Sequence, residues 1–176
     1  AATVDPLGWL GLGTEDYVPA PFHSTLAQHY EAASDGWYVE GLPGVTIGRL
    51  PVETPAQALS VVDKIIAWDG GTTGRSLYVA DRDPEGQFIP AAERQIELAG
   101  QSGGEAIRLY RDESTSAPTD LLAEINEGID LMTFNGHAYL SGWSSGPQLI
   151  NVPRAATLTN AHHFVLVSLS CFDGAF

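Results

Sequence analysis

Three kinds of side chain able to cooperate in covalent catalysis follow three apolar segments of this sequence. "SLYVA" (Ser76 to Ala80) runs into "DRD", which carries Asp81 and Asp83. "IDLMTF" (Ile129 to Phe134) runs into "NGHA", which carries His137, and "FVLVSLS" (Phe164 to Ser170) runs into Cys171, the sole cysteine. A cysteine acts as a nucleophile through its thiolate, a minor species for a free thiol whose pKa is about 8.5. A neighbouring imidazole takes the thiol proton and stabilises the anion. A carboxylate beside the imidazole orients it and favours its charged form. Asp81 and Asp83 are both candidates for that third role, with Asp81 preferred because it ends its segment directly. Small residues, Gly136, Ala138 and Gly174, flank the His and Cys where backbone must approach a substrate. The amides of Ala138 and Cys171 are the expected donors to a developing oxyanion.

Those side chains meet only if the segments before them lie side by side and point the same way. From Val45 onward, short apolar runs alternate with helical patterns, which predicts βαβ units and a parallel sheet. The runs are Val45 to Leu50, Ser76 to Ala80, Ala106 to Tyr110, Ile129 to Phe134 and Phe164 to Ser170. Their nearly continuous apolar character suits strands covered on both faces. Helices are expected over Pro55 to Trp68, Pro90 to Leu98 and Pro118 to Glu127. The first opens on a capping box, Thr54 with Gln57, and presents Leu59, Val62 and Ile66 on one face. In such a sheet the residues just past the strand ends gather along one edge, where ligands bind. "GWLGLG" at Gly8 to Gly13 is a further strand candidate, followed by an irregular stretch.

Bulk properties narrow the partners. Among 176 residues, 22 acidic and 8 basic side chains give a formal charge of −14, which argues against nucleic acid and anionic membranes. No apolar run approaches the roughly 18 residues of a membrane span. The length suits a single domain over residues 1–176, and 44% hydrophobic residues suffice for its core. One cysteine precludes an internal disulfide. His162 and His163 lack a second ligand cluster at metal spacing and are assigned to a loop, so no metal centre is expected. Trp143 is a candidate for substrate contact, in competition with core packing.

At these residues the sequence resembles the gingipain-type cysteine peptidases. The resemblance extends over most of the chain. "SDGWYVEGLPGVTIGRLPVETPAQALSVVDKIIAWD" (Ser34 to Asp69) is similar to a specific block of that family. So are "YVADRDPEGQF", the Gly-His motif with its following Trp in "FNGHAYLSGW", and the nucleophile motif "SLSCFDGAF". The resemblance implies a caspase-like, three-layer αβα sandwich with a mainly parallel central sheet. It further implies a cysteine endopeptidase that is secreted or displayed at a cell surface, acting on protein or peptide substrates. Cys171 would be the nucleophile, His137 the general base and acid, Asp81 or Asp83 the acidic member, and Ala138 and Cys171 the oxyanion donors. No cofactor is called for, and a structural calcium is left open.

Two departures accompany the resemblance. The family commonly has Gly after the His, where this chain has Ala138. Family members also continue well beyond the nucleophile, so a partial catalytic domain is expected, with apolar surface left at the Cys strand. The acidic residue that reads basic side chains in arginine-specific members has no counterpart in the uncharged "GQFIPAA", so no Arg or Lys preference is assigned. An α/β-hydrolase with a Cys nucleophile is disfavoured by chain order, since there the nucleophile precedes its His. The non-enzymatic alternative is a gingipain-like module for binding or secretion-apparatus assembly, because a fold can outlive its activity.

Overall fold

The computed structural model describes residues 22–24, 31–33, 35–48, 50, 52, 54–68, 70, 73–100, 103–144 and 146–171. The strand candidate at Gly8 to Gly13 and the residue Gly174 lie outside them. The chain divides between Val61 and Val62 into two compact units, described in turn. In the first, strands β1 (Phe22–Ser24) and β2 (Glu31–Ala33) pair antiparallel, and a 3₁₀ turn follows at Asp35–Val39. The strand expected over Val45 to Leu50 does not form: residues 45–48 and 50 are irregular, with Val45, Ile47 and Leu50 exposed. An apolar run becomes a strand only where a partner supplies its hydrogen bonds.

Helix α1 (Pro55–Ala67) contains the division between the units. Its capping box forms as expected, with the Thr54 amide donating to Gln57 Oε1 at 3.0 Å and the Gln57 amide to Thr54 Oγ1 at 3.2 Å. Its apolar positions Leu59, Val62, Ile65 and Ile66 are exposed, and none of its residues is buried.

The second unit is built on four parallel strands in the order β4-β3-β5-β8: β3 (Arg75–Ala80), β4 (Glu105–Tyr110), β5 (Leu131–Asn135) and β8 (Val165–Leu169). Helix α2 (Phe88–Ala99) joins β3 to β4, and α3 (Ala117–Glu127) carries the chain from β4 across β3 to β5. Because strand alternation sends successive side chains to opposite faces, the sheet has two cores. Tyr78, Ala80 and Tyr110 meet Ala92, Phe88 and Ile96 of α2 on one face. Leu77, Val79, Leu109, Met132 and Phe134 meet Ala117, Leu121 and Ile125 of α3 on the other. A mixed α/β sandwich with helices on both faces of a parallel sheet is therefore the architecture, in keeping with a caspase-like fold. Between β5 and β8 lie a small hairpin, β6 (Ala138–Tyr139) with β7 (Gly142–Trp143), and a one-turn helix α4 (Val152–Ala155).

The strand β8 lies at the sheet's edge, paired only with β5 among the described residues. Val165, Leu166, Val167 and Leu169 are exposed, so both of its faces present apolar surface. The opposite end of the sheet is tied by charge. Asp130 accepts from the amides of Thr73 and Gly74, and Arg75 pairs with Glu105, Glu124 and Glu127 while donating to the Gly128 carbonyl.

One surface cluster links stability to pH. Glu93 of α2 accepts from Arg108 Nε and from the Tyr110 hydroxyl, both at 2.7 Å. Those two hydrogen bonds hold its carboxyl down at about 2. An unfolded Glu titrates near 4.3. The stabilisation is thus complete above that value and lost as pH falls towards about 2. Urea midpoints of the native protein and of Glu93→Gln, taken between pH 6 and pH 2, should differ at the upper end and converge at the lower. A constant difference would show that the charge of Glu93 contributes nothing.

Candidate active site

The strand register sets the site. Tyr110, Ala80, Asn135 and Leu169 form the last full row of the sheet. Three further backbone bonds extend it by a residue: Arg111 N to the Ala80 carbonyl at 3.0 Å, Asp81 N to Asn135 at 2.9 Å, and Gly136 N to Leu169 at 3.4 Å. Arg111, Asp81, Gly136 and Ser170 therefore stand level. His137 and Cys171 follow the neighbouring strands β5 and β8, each two residues past the paired Asn135 and Leu169. Neighbouring strands lie about 4.8 Å apart. Both residues are exposed.

Topology marks the same place. From β3 the chain turns one way to β4, whereas from β5 it turns the other way to β8. Oppositely directed connections leave a crevice beyond the carboxyl ends of two adjacent strands, and ligands of open α/β sheets bind there. Asp81 ends one of those strands and His137 follows the other.

Asp81 is buried beneath this crevice and is the hub of a network. Its Oδ1 accepts from Arg111 Nη1 at 3.1 Å, from Ser144 Oγ at 2.6 Å and from the Arg82 amide at 2.7 Å. Its Oδ2 accepts from the His137 backbone amide at 3.3 Å. The carboxylate thus touches the main chain of His137, where contact with the imidazole was expected. Arg111 is also buried, and its Nη2 donates to the Pro147 carbonyl at 2.6 Å. Asp81 and Arg111 together fasten both ends of the loop that runs from His137 to Pro147. Gly136 is small for a related reason: a Cβ there would collide with Asp81 Cβ and come within 2.7 Å of Phe134 Cζ.

Asp83 has a different occupation. It accepts from the amides of Gln87 and Ile89 at the start of α2. Burial works against its charge, but hydrogen bonds from the backbone of Ile89, Gln87, Phe88 and Gly86 prevail and hold its carboxyl below the ordinary value. It is a turn and cap residue. The helix it starts begins at Phe88, two residues before the expected Pro90, and the Phe88 ring meets His137 edge to face, with centroids 5.1 Å apart and planes at 84°.

The hairpin after His137 supplies backbone groups. Tyr139 pairs with Gly142 and Ala138 with Trp143, while the Ser144 amide donates to the His137 carbonyl at 2.8 Å. Antiparallel ladders alternate hydrogen-bonded with non-bonded pairs, so the Ala138 amide faces away from β7. Trp143 is not at a substrate surface. It is buried and stacked on Phe134, with centroids 4.1 Å apart and planes at 2°, because β7 turns its side chain into the core under α3.

Sequence reasoning passed over Arg111, Ser144 and Phe88. Arg111 follows "AIRLY" as Asp81 follows "SLYVA", and the same rule of inspecting residues past strand ends finds it. Ser144 adopts a left-handed backbone, φ 71°, for which the sequence carries no signal. Among the described residues no group of three or more His, Cys, Asp or Glu is arranged to hold a metal, and no helix is long and apolar enough to cross a membrane.

Cys171 and His137 follow neighbouring strands of one parallel α/β sheet, and a thiol and an imidazole are the residue types a cysteine hydrolase needs. The model of peptidase family C25, the gingipain family of cysteine peptidases, matches residues 3–176, and the chain belongs to that family. No curated protein and no solved structure gives a significant match.

Proposed function

We propose that this chain forms the catalytic centre of a cysteine endopeptidase, with Cys171 as nucleophile and His137 as general base and acid. His137 takes the thiol proton, and Cys171 Sγ attacks the carbonyl carbon of a peptide bond. The oxyanion is held by the amides of Cys171 and Ala138. As the C–N bond breaks, His137 returns the proton to the leaving amine and a thioester remains. Water, deprotonated by His137, then hydrolyses the thioester and restores the thiol. Asp81 serves by holding the His137 backbone and Asp83 by starting α2. Family membership supports peptide or protein substrates and a secreted or surface location.

One observation supports this reading most: β5 and β8 pair in parallel, with Asn135 opposite Leu169, each two residues before His137 and Cys171. The test is irreversible labelling of the full-length protein by a peptidyl electrophile. Labelling is expected at Cys171 and should be lost in Cys171→Ala and strongly slowed in His137→Ala. Labelling that ignores His137 would favour a binding or assembly module instead.

A further inference from the structure

We propose that Phe88 is the positioning residue of the His137 imidazole, an inference that rests on the reading of His137 as general base. Asp81, whose carboxylate reaches the His137 backbone, gives its oxygens to Arg111, Ser144 and two backbone amides, one of them that of His137. It fixes where the histidine leaves the sheet and leaves the ring to be oriented by something else. The Phe88 ring meets that imidazole edge to face at 5.1 Å and 84°. That is the arrangement aromatic pairs prefer, since a positive ring edge meets a negative face.

Phe88 is itself held in place from two directions. Asp83 accepts hydrogen bonds from the amides of Gln87 and Ile89 on either side of Phe88, which sets the first turn of α2. The Phe88 side chain also packs on the core formed by Tyr78, Ala80, Ala92 and Tyr110. A chain of contacts thus runs from the Asp83 cap through Phe88 to the imidazole. An aromatic brace suits a group that must take up and return a proton. It restricts rotation of the ring without using either nitrogen, and an imidazolium is also attracted to a π face. Both nitrogens stay available to the thiol and to the leaving group.

The experiment is a double-mutant cycle on the full-length protein, read as the second-order rate of Cys171 alkylation by iodoacetamide at fixed neutral pH. Phe88→Leu keeps an apolar side chain in the core but removes the ring, and should slow alkylation about tenfold, within the range that misplacement of a reacting group produces. Phe88→Tyr should restore it to within about twofold of the native rate. In the His137→Ala background, Phe88→Leu should change nothing further.

Native-like alkylation in Phe88→Leu, or equal slowing with and without His137, overturns the proposal. If His137→Ala itself leaves alkylation unchanged, the general-base reading fails and this inference falls with it. If only the Phe88→Leu effect is missing, the base reading stands and this inference alone fails. A second measurement needs no variant: magnetisation exchange by NMR between the Phe88 and His137 ring protons should be seen in the native protein, and its absence would overturn the contact itself.

Discussion

Arg111→Met should destabilise the second unit by about 3–5 kcal/mol, the usual cost of removing one partner from a buried ion pair. Both members lie inside the protein, with Asp81 2% and Arg111 8% exposed. Methionine preserves much of the arginine's length and apolar stem, so lost packing is a small part of the effect. What remains is a carboxylate without its cation, still gripped by Ser144 and the amides of Arg82 and His137. The double variant Arg111→Met with Asp81→Asn should be more stable than Arg111→Met alone, because the unpaired charge is gone. Urea unfolding followed by circular dichroism measures both. A cost below about 1 kcal/mol for the single change would mean that solvent reaches Asp81 and that the loop from His137 to Pro147 is held some other way.

His137→Ala should show the reverse pattern. The residue is exposed, so its removal should cost no more than about 1.5 kcal/mol of folding stability, the edge contact with Phe88 included. Peptide hydrolysis should nevertheless fall at least about a thousandfold, the scale at which catalytic machinery fails when its base is removed. Cys171→Ala, at another exposed position, should abolish turnover with equally little effect on unfolding. Comparison of kcat/KM with the urea midpoint in the same preparations separates the two kinds of residue. Parallel losses of activity and stability in His137→Ala would make the histidine a structural element and end its assignment as base.

Much of this arrangement is legible in the sequence, and the exceptions have physical causes. β3, β4, β5 and β8 match the continuous apolar runs closely; in β3 and β5, buried between helix layers, the polar alternation that would blur their limits is lost, and β8 keeps the apolar pattern although its side chains are exposed. The capping box of Thr54 and Gln57 marks the start of α1 from side chains only three residues apart. Val45 to Leu50 has the same composition as a strand, but a strand exists only with a neighbour, and that is a property of the whole fold. The start of α2 was obscured because Pro90 is a good first-turn residue, whereas the cap that sets the helix is Asp83, several residues upstream. That shift of two residues concealed Phe88. Asp81 and Asp83 are chemically identical and nearly adjacent. Only the fold separates them, sending one under the crevice and the other to a helix start. Trp143 shows the same limit, since a Trp near a Gly-His motif looks alike whether it points at substrate or at Phe134.

The strand β8 has one ladder partner among the described residues, and that gives the site a quantised geometry. Where Cys171 stands relative to His137 depends on the pairing of Val165 through Leu169 with Leu131 through Asn135. Strand pairing changes only in whole residues, each about 3.3 Å along the strand. A slip of one turns every β8 side chain to the other face, and a slip of two keeps the faces but carries the thiol about 6.6 Å from its level. Either displacement moves the sulfur relative to an imidazole whose backbone Asp81 holds in place. In the proposed mechanism the distance between nucleophile and base therefore has discrete settings, and whatever covers or grips the exposed side of β8 acts on catalysis as a detent acts on a ratchet.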